Sequence, residues 1–354
     1  MYKLEAVDTV IFREANSFDA GVHFHSSSKF PPYPATYAGV FKEGTSLKDR
    51  DIKIEFNGVM LDDEYAFPQP LDTVITQQNT LQKMKLVKSG ESSHELPYTL
   101  SSISNENKKT HISEGAYLKA NDFNRYLLGD ETYSFTVLGD YITRELHTGI
   151  KMDYEKHTTV EGMWYTEESI RLKSKMHTCA LVAQVEGVNL QENSIKKIGA
   201  NTRLVKINKA KELNIMKPKA SRYFKLYFAT PAIFKHGWLP RWINPDTKEG
   251  TFRHKRRKVR VKLIAAAIGK AVPIGGYSKN GPREMHLAIP AGSVYYFELL
   301  EGEVQNIEKI FHEKCISDFR HKLGFDYEWW DRLIYCDRGF GYTFVGEVKE
   351  EELR

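Results

Sequence analysis

Strand-like runs dominate this sequence, and they fall into two sets on either side of one polar stretch, NKAKELNIMKPKAS (208–221). The first set opens with Leu4 to Phe12. It resumes at TYSFTVL (132–138), TGIKMD (148–153), EGMWYTEESIRLK (161–173), TCALVAQVEG (178–187) and NTRLVKI (201–207). The second set comprises RYFKLYFATPAIF (222–234), KVRVKLIAAAI (258–268), SVYYFELL (293–300) and a closing strand within RGFGYTFVGEV (338–348). Runs rich in β-branched and aromatic residues, bounded by Gly, Pro, Asn and Ser, read as strands. Helical patterning is sparser. PATYAGVFK (34–42) reads as a short helix with Pro34 near its start. Ile307, Phe311, Cys315, Phe319 and Leu323 set an apolar residue every fourth position, which predicts an amphipathic helix over 303–323. Strands with one or two helices in each half give an α+β fold class. A length of 354 residues suits two domains, here 1–210 and 211–354 with the polar stretch as linker. Residues 44–130 have weak periodicity and read as a long insertion in the first domain, with room for a hairpin around 51–60.

Composition narrows the function classes. Hydrophobic residues make up 41% and charged residues 27%, a globular balance rather than a disordered one. Cys179, Cys315 and Cys336 are widely spaced and form no CxxC pair, which fits a reducing cytoplasm. The N-terminal MYKLEAVDTVIF lacks the basic-then-apolar pattern of a signal peptide. The longest apolar run, LIAAAI (263–268), is far shorter than the roughly 18 residues of a membrane helix, so no membrane association is expected. HExxH, GxSxG and P-loop patterns are absent. His23 and His25 flank Phe24 without further ligands at usable spacing, so neither a metal nor a cofactor is expected. The same two histidines, with a tyrosine and a lysine nearby, leave open metal-independent acid–base cleavage of RNA as an alternative. A scaffold that touches only protein is another.

Basic and glycine-rich segments point toward a polyanion. The formal net charge is +5. TFRHKRRKVRVK (251–262) holds seven Lys or Arg and no acid, with Arg256 and Arg257 at its centre; such a run suits phosphate contact, or else is a solvated hairpin tip. IGGYSKNGPRE (274–284) joins Gly275, Gly276 and Tyr277 to Lys279 and Arg283, a flexible loop with cations for gripping phosphate. IFREANSFDAG (11–21) sets Arg13 at the end of the first strand and Gly21 in the turn, although pairing of Arg13 with Glu14 explains the arginine more simply. In RGFGYTFVGEV, Gly339, Gly341 and Gly346 interrupt a strand, and this G-x-G lacks the strand–helix setting of a dinucleotide fingerprint. Bare main chain there gives either a tight turn or close approach of something bulky.

In sequence order, AVDTVIFREANSFDAG, PPYPATYAGVFK, HTGIKMD, EGMWYTEESIRL, FATPAIFKHGWLP, IGGYSKNGPRE, AIPAGSVYYFEL and GFGYTFVGEV resemble the third-subunit family of the Cmr complex, the type III-B CRISPR RNA-guided effector, within the RAMP superfamily. The resemblance is poor over 44–130. It implies two tandem ferredoxin-like (RRM-like) domains and a non-catalytic subunit that binds the repeat-derived 5′ handle of CRISPR RNA at the foot of the assembly. Implied partners are the large polymerase-type subunit and the backbone subunits, with target RNA met indirectly. On this chain it implies a guide-RNA surface built from Arg13, Gly21, Thr36, Tyr37, Gly275, Gly276, Tyr277, Lys279, Arg283, Gly339, Gly341 and Gly346. The three C-terminal glycines would leave room for the guide strand. Arg256 and Arg257 rest on charge alone.

Overall fold

A computed structural model describes residues 1–13, 25–45, 52–90, 95–102, 115–219, 221–275, 277–278, 281–282, 284–318 and 335–353. It is α+β and strand-rich, built around an eight-stranded and a six-stranded sheet.

The centre of the first sheet runs, edge to edge, Lys53–Leu61, Cys179–Glu186, Tyr2–Ala6, Arg203–Lys209. Every neighbour is antiparallel. Helix α1 (Pro34–Lys42) links Tyr2–Ala6 to the strand two places away. Proline suits the first helical turn because its missing N–H has no partner there anyway. Tyr37 and Phe41, four apart, aim the helix's apolar face at the sheet and are fully buried with Leu4, Ile54, Leu181 and Ile207.

The two central strands are buried on both faces over most of their length, and the reason lies behind the sheet. Along Cys179–Glu186, Leu181 and Ala183 face α1 while Val182 enters a second core. Along Lys53–Leu61, Ile54 and Leu61 face α1 while Phe56 and Met60 face away. A strand buried on both faces reads as an unbroken apolar run.

The six-stranded sheet closes the second core from the other side. Its order is Glu249–His254, Arg257–Ala267, Val294–Glu301, Tyr223–Phe228, Tyr342–Glu347, Lys314–Cys315. Period-two alternation sends Phe224, Leu226 and Phe228 toward α3 (Val304–Phe311) and Tyr227 toward the first half. Helix α2 (Ala120–Leu127) lies between the sheets. Its Phe123 stacks on Phe67 at 4.0 Å and meets Tyr227 and Phe344 edge-on at 4.9 and 5.2 Å. The two halves therefore share one aromatic core.

Three sequence expectations change. Residues 53–68 are not an insertion: Lys53–Leu61 is a central strand, and it turns into Glu64–Pro68 in the same sheet. Polar residues hid it, because Lys53, Glu55 and Asn57 interrupt its apolar positions. The helix expected over 303–323 stops at Phe311; Cys315 lies in a two-residue strand, and Phe319 and Leu323 fall outside the described residues. The runs near 148–153 and 161–173 form one long hairpin, Thr143–Asp153 with Thr158–Arg171, largely exposed toward its turn. Among the described residues no helix is long and apolar enough to cross a membrane.

Candidate nucleic-acid interface

The seam between the halves gathers several of the sequence candidates. Chain leaving the first strand passes Arg13, and Gly199–Ala200 folds over it, with Ala200 N–H donating to Ile11 O at 2.9 Å. Only glycine fits at 199: its φ is +65° and an added Cβ would lie 2.2 Å from Ile11 O. The loop before α1 brings Lys29, Pro32 and Tyr33 beside Arg13 and Thr36, and together these line a recess of about 200 Å³. The Tyr33 hydroxyl donates to Pro273 O at 2.9 Å, which ties this loop to the strand Val272–Ile274 and so to Gly275. Tyr33 and Lys29 also line a second, largely apolar hollow of about 200 Å³ between the sheets.

Arg13 is half-exposed and held in place. Its guanidinium meets Glu167 at 3.3 Å and Asn201 Oδ1 at 3.2 Å, so the partner is Glu167 on the long hairpin; Glu14, the partner expected from sequence, lies outside the described residues. Thr36 is partly exposed in the first turn of α1. Tyr37 is corrected from surface to core: it is fully buried, its hydroxyl donates to Gly58 O at 3.1 Å, and burial pushes its pKa well up. The spacing of Tyr37 to Phe41 along α1 carried that signal. Gly21, Gly276, Lys279 and Arg283 lie outside the described residues, and Tyr277 is described only as backbone paired with Pro282.

The three C-terminal glycines have reasons within the chain. All are buried. Gly339 has φ +82° and an added Cβ would sit 2.3 Å from Asn57 Nδ2; Gly341 has φ +74° and its Cβ would come within 2.9 Å of the Ser317 main-chain nitrogen. Gly346 pairs in register with Lys225, and its Cβ would lie 2.9 Å from Lys225 Cε. The space that sequence reasoning assigned to a guide strand is filled by the protein's own Asn57, Ser317 and Lys225.

The basic run forms the hairpin Glu249–His254 with Arg257–Ala267. Lys255 and Arg256 stand exposed at its turn, Arg257 is half-buried, and Arg260 is tied to Glu249 at 2.8 Å and Glu301 at 2.5 Å. The far end of Arg257–Ala267 leads toward the seam, where Gly269 approaches Pro290. Ten residue steps at about 3.3 Å put the hairpin tip roughly 30 Å from that end. The two cationic regions are thus separate.

His25 is exposed, its Nδ1 2.9 Å from Thr166 Oγ1; His23 lies outside the described residues. Among the described residues no group of three or more His, Cys, Asp or Glu side chains is placed to hold a metal ion. Sequence reasoning missed Lys29, Tyr33, Asn57 and Gly199. The prolines around Tyr33 in KFPPYPATY (29–37) were the available sign of a fixed loop.

A family of CRISPR-associated proteins shares this chain's sequence pattern across residues 2–330. The chain belongs to that family, Cas_Cmr3, and so is a subunit of a type III-B CRISPR effector, the Cmr complex. The glycine segment 338–348 lies beyond the matched residues. No curated protein sequence matches the chain. Two solved structures resemble it: a chain of the type III-B Cmr-beta complex bound to cognate target RNA and AMPPnP, state 1, and a chain of the same complex bound to cognate target RNA. Each is 16% identical with a TM-score of 0.48; the matches cover 83% of this chain and 85% and 86% of those chains.

Proposed function

We propose that this chain is a non-catalytic RNA-binding subunit that holds the repeat-derived 5′ handle of the guide RNA and caps the base of the complex. There it would meet the large polymerase-type subunit and the backbone subunits, and target RNA only through the guide. One observation carries the reading. Both sheets repeat one central order. Numbering the four main strands of each half along the chain gives 2-3-1-4 in the first (Lys53–Leu61, Cys179–Glu186, Tyr2–Ala6, Arg203–Lys209) and 2-3-1-4 again in the second (Arg257–Ala267, Val294–Glu301, Tyr223–Phe228, Tyr342–Glu347). The first half keeps the helix between strands 1 and 2, the second the helix between 3 and 4. We read this as two tandem ferredoxin-like domains, 1–210 and 211–354, the architecture of RNA-recognition modules. The cation-bearing seam around Arg13, Lys29, Thr36 and Gly275 and the hairpin tip at Arg256 and Arg257 supply phosphate contacts; Gly276, Tyr277, Lys279 and Arg283, which follow Gly275 in the sequence, are proposed to join them.

Filter binding of handle RNA to the purified chain at several salt concentrations tests this. Log affinity is expected to fall linearly with log salt, by about 0.7 per phosphate neutralised on a single strand. Salt-independent or absent binding, in the chain and in the assembled complex alike, would leave a protein-only scaffold as the better reading.

A further inference from the structure

We infer that the apolar hollow lined by Tyr33 is a receptacle for one unstacked nucleobase of the guide RNA, with the attached phosphate held at Lys29. The inference rests on the RNA-binding reading above and goes further by naming where one nucleotide enters. The hollow lies where the two halves meet. Tyr33 comes from the loop before α1, Phe56 and Phe67 from the first sheet, Pro231 and Pro290 from loops of the second half, and Lys29 is among the lining residues.

Size selects the occupant. A cavity of roughly 150 Å³ takes one benzene ring, whereas pockets for drug-sized ligands start at about 300 Å³. A hollow of about 200 Å³ fits one ring system and nothing larger. Lining chemistry selects further. Six prolines, at 31, 32, 34, 68, 231 and 290, border it, and none has an N–H to offer. Three of the polar groups that line it are already engaged: Asn57 Nδ2 donates to Gly339 O at 3.2 Å, Thr230 Oγ1 donates to the same oxygen at 2.8 Å, and the Tyr37 hydroxyl donates to Gly58 O; the Tyr117 hydroxyl also borders the hollow. The walls therefore offer ring faces and aliphatic edges, which suit the flat surface of any base.

Charge decides between a base and a partner's hydrophobic side chain. Among the described residues lining this hollow and the adjoining recess the charged side chains are Lys29 and Arg13; Arg13 is already paired with Glu167 at 3.3 Å, so Lys29 is the cation the slot relies on. Lys29 Nζ lies 4.8 Å from the centre of the Tyr33 ring, so the positive charge sits beside the ring that borders both spaces. An apolar slot with a lysine among its lining residues complements a flat ring on an anionic tether. It matches a nucleotide better than a leucine or phenylalanine on a neutral main chain.

The test replaces Tyr33 by p-benzoylphenylalanine in the full chain, assembles the Cmr complex on guide RNA, and irradiates it. A cross-link from position 33 to one nucleotide of the repeat-derived segment is expected. In parallel, Tyr33→Ala is expected to weaken handle RNA binding about five- to a hundredfold, the range of one base stack removed, while Tyr33→Phe stays within about twofold of the native chain. Tyr33→Phe also shows whether the bond to Pro273 alone is responsible, since it removes the hydroxyl and keeps the ring. A cross-link only to another polypeptide, or none in complexes that retain guide RNA, would overturn the base receptacle and leave the RNA-binding reading standing. Failure of the native chain to bind RNA at all would instead remove the reading beneath it.

Discussion

Lys225 is the least expected residue of the core, and removing its charge should be costly. Alternation along Tyr223–Phe228 sends Lys225 to the same face as Tyr227, so it enters the aromatic core and is fully buried. Its Nζ lies 3.4 Å from Asp72 Oδ2, also fully buried, and 3.5 Å from the centre of the Tyr126 ring. Asp72 accepts the Tyr126 hydroxyl at 2.9 Å and the Tyr296 hydroxyl at 2.6 Å. Burial outweighs Asp72 and lowers the Lys225 pKa from 10.5 to about 8, with Lys83 lowering it further and Glu352 opposing. Lys225→Met leaves the Asp72 carboxylate buried without a counter-charge, a loss of about 3–5 kcal/mol. Asp72→Asn does the reverse and should cost about as much. The double variant removes both charges but keeps an acceptor for the two tyrosines, so its loss should be smaller than the sum of the single losses by about 2 kcal/mol. The pH dependence has a definite sign. The folded pKa lies below the unfolded one, so between pH 8 and about 10 the unfolded chain holds the proton more tightly and stability rises with pH. A gap of about 2.5 pH units is worth about 3 kcal/mol in all. Above pH 10 the buried Tyr126 and Tyr296, whose pKa values are pushed well up, reverse the trend. Urea unfolding followed by tryptophan fluorescence, at pH 7 and 9, measures all of this. Single variants as stable as the native chain, strictly additive losses, or an equal rise with pH in Lys225→Met would refute the reasoning.

The glycine segment and the hairpin tip give two further expected outcomes. Gly341→Ala should destabilise the chain by about 2–5 kcal/mol, combining about 1–2 for a left-handed backbone and about 1–3 for overpacking against Ser317; handle RNA affinity per folded molecule should not change, which titration of the folded fraction checks. Arg256→Glu with Arg257→Glu should leave the unfolding midpoint in place and lower the slope of log affinity against log salt by about 0.7 for each phosphate no longer neutralised.

The α+β class, helix α1 and most strands were legible because their patterns are local. Pro34 followed by Tyr37 and Phe41 marks a helix whatever surrounds it, and KVRVKLIAAAI is long enough to admit no other element. What stayed hidden depends on pairing between distant residues. Lys53–Leu61 looked like part of an insertion because Lys53, Glu55 and Asn57 interrupt it, yet Asn57 is buried, its amide bonded to the Gly339 carbonyl 282 positions away. Lys225 in RYFKLYF occupies a core position that only Asp72, distant in sequence, makes tolerable. The seam was half legible: Arg13 and Gly275 stood out by type and Thr36 came with the family resemblance, whereas Lys29 and Tyr33 acquire meaning only once Tyr33 reaches Pro273 across the halves.

The glycine segment and the proposed base receptacle are mechanically one unit, although no RNA need touch the glycines. The Gly339 carbonyl receives Asn57 Nδ2 from the first half and Thr230 Oγ1 from the second, and both side chains line the hollow. Its orientation depends on a φ of +82°, which a residue with a Cβ adopts only at a cost and which Asn57, 2.3 Å from where that Cβ would sit, blocks outright. The turn therefore pins the two sheets beside the hollow that Tyr33 and Lys29 also line. Substitutions in 339–341 reach RNA binding only by loosening the fold that holds the halves together. They should lower stability and apparent affinity in step, whereas Lys29→Ala should lower affinity with little change in stability.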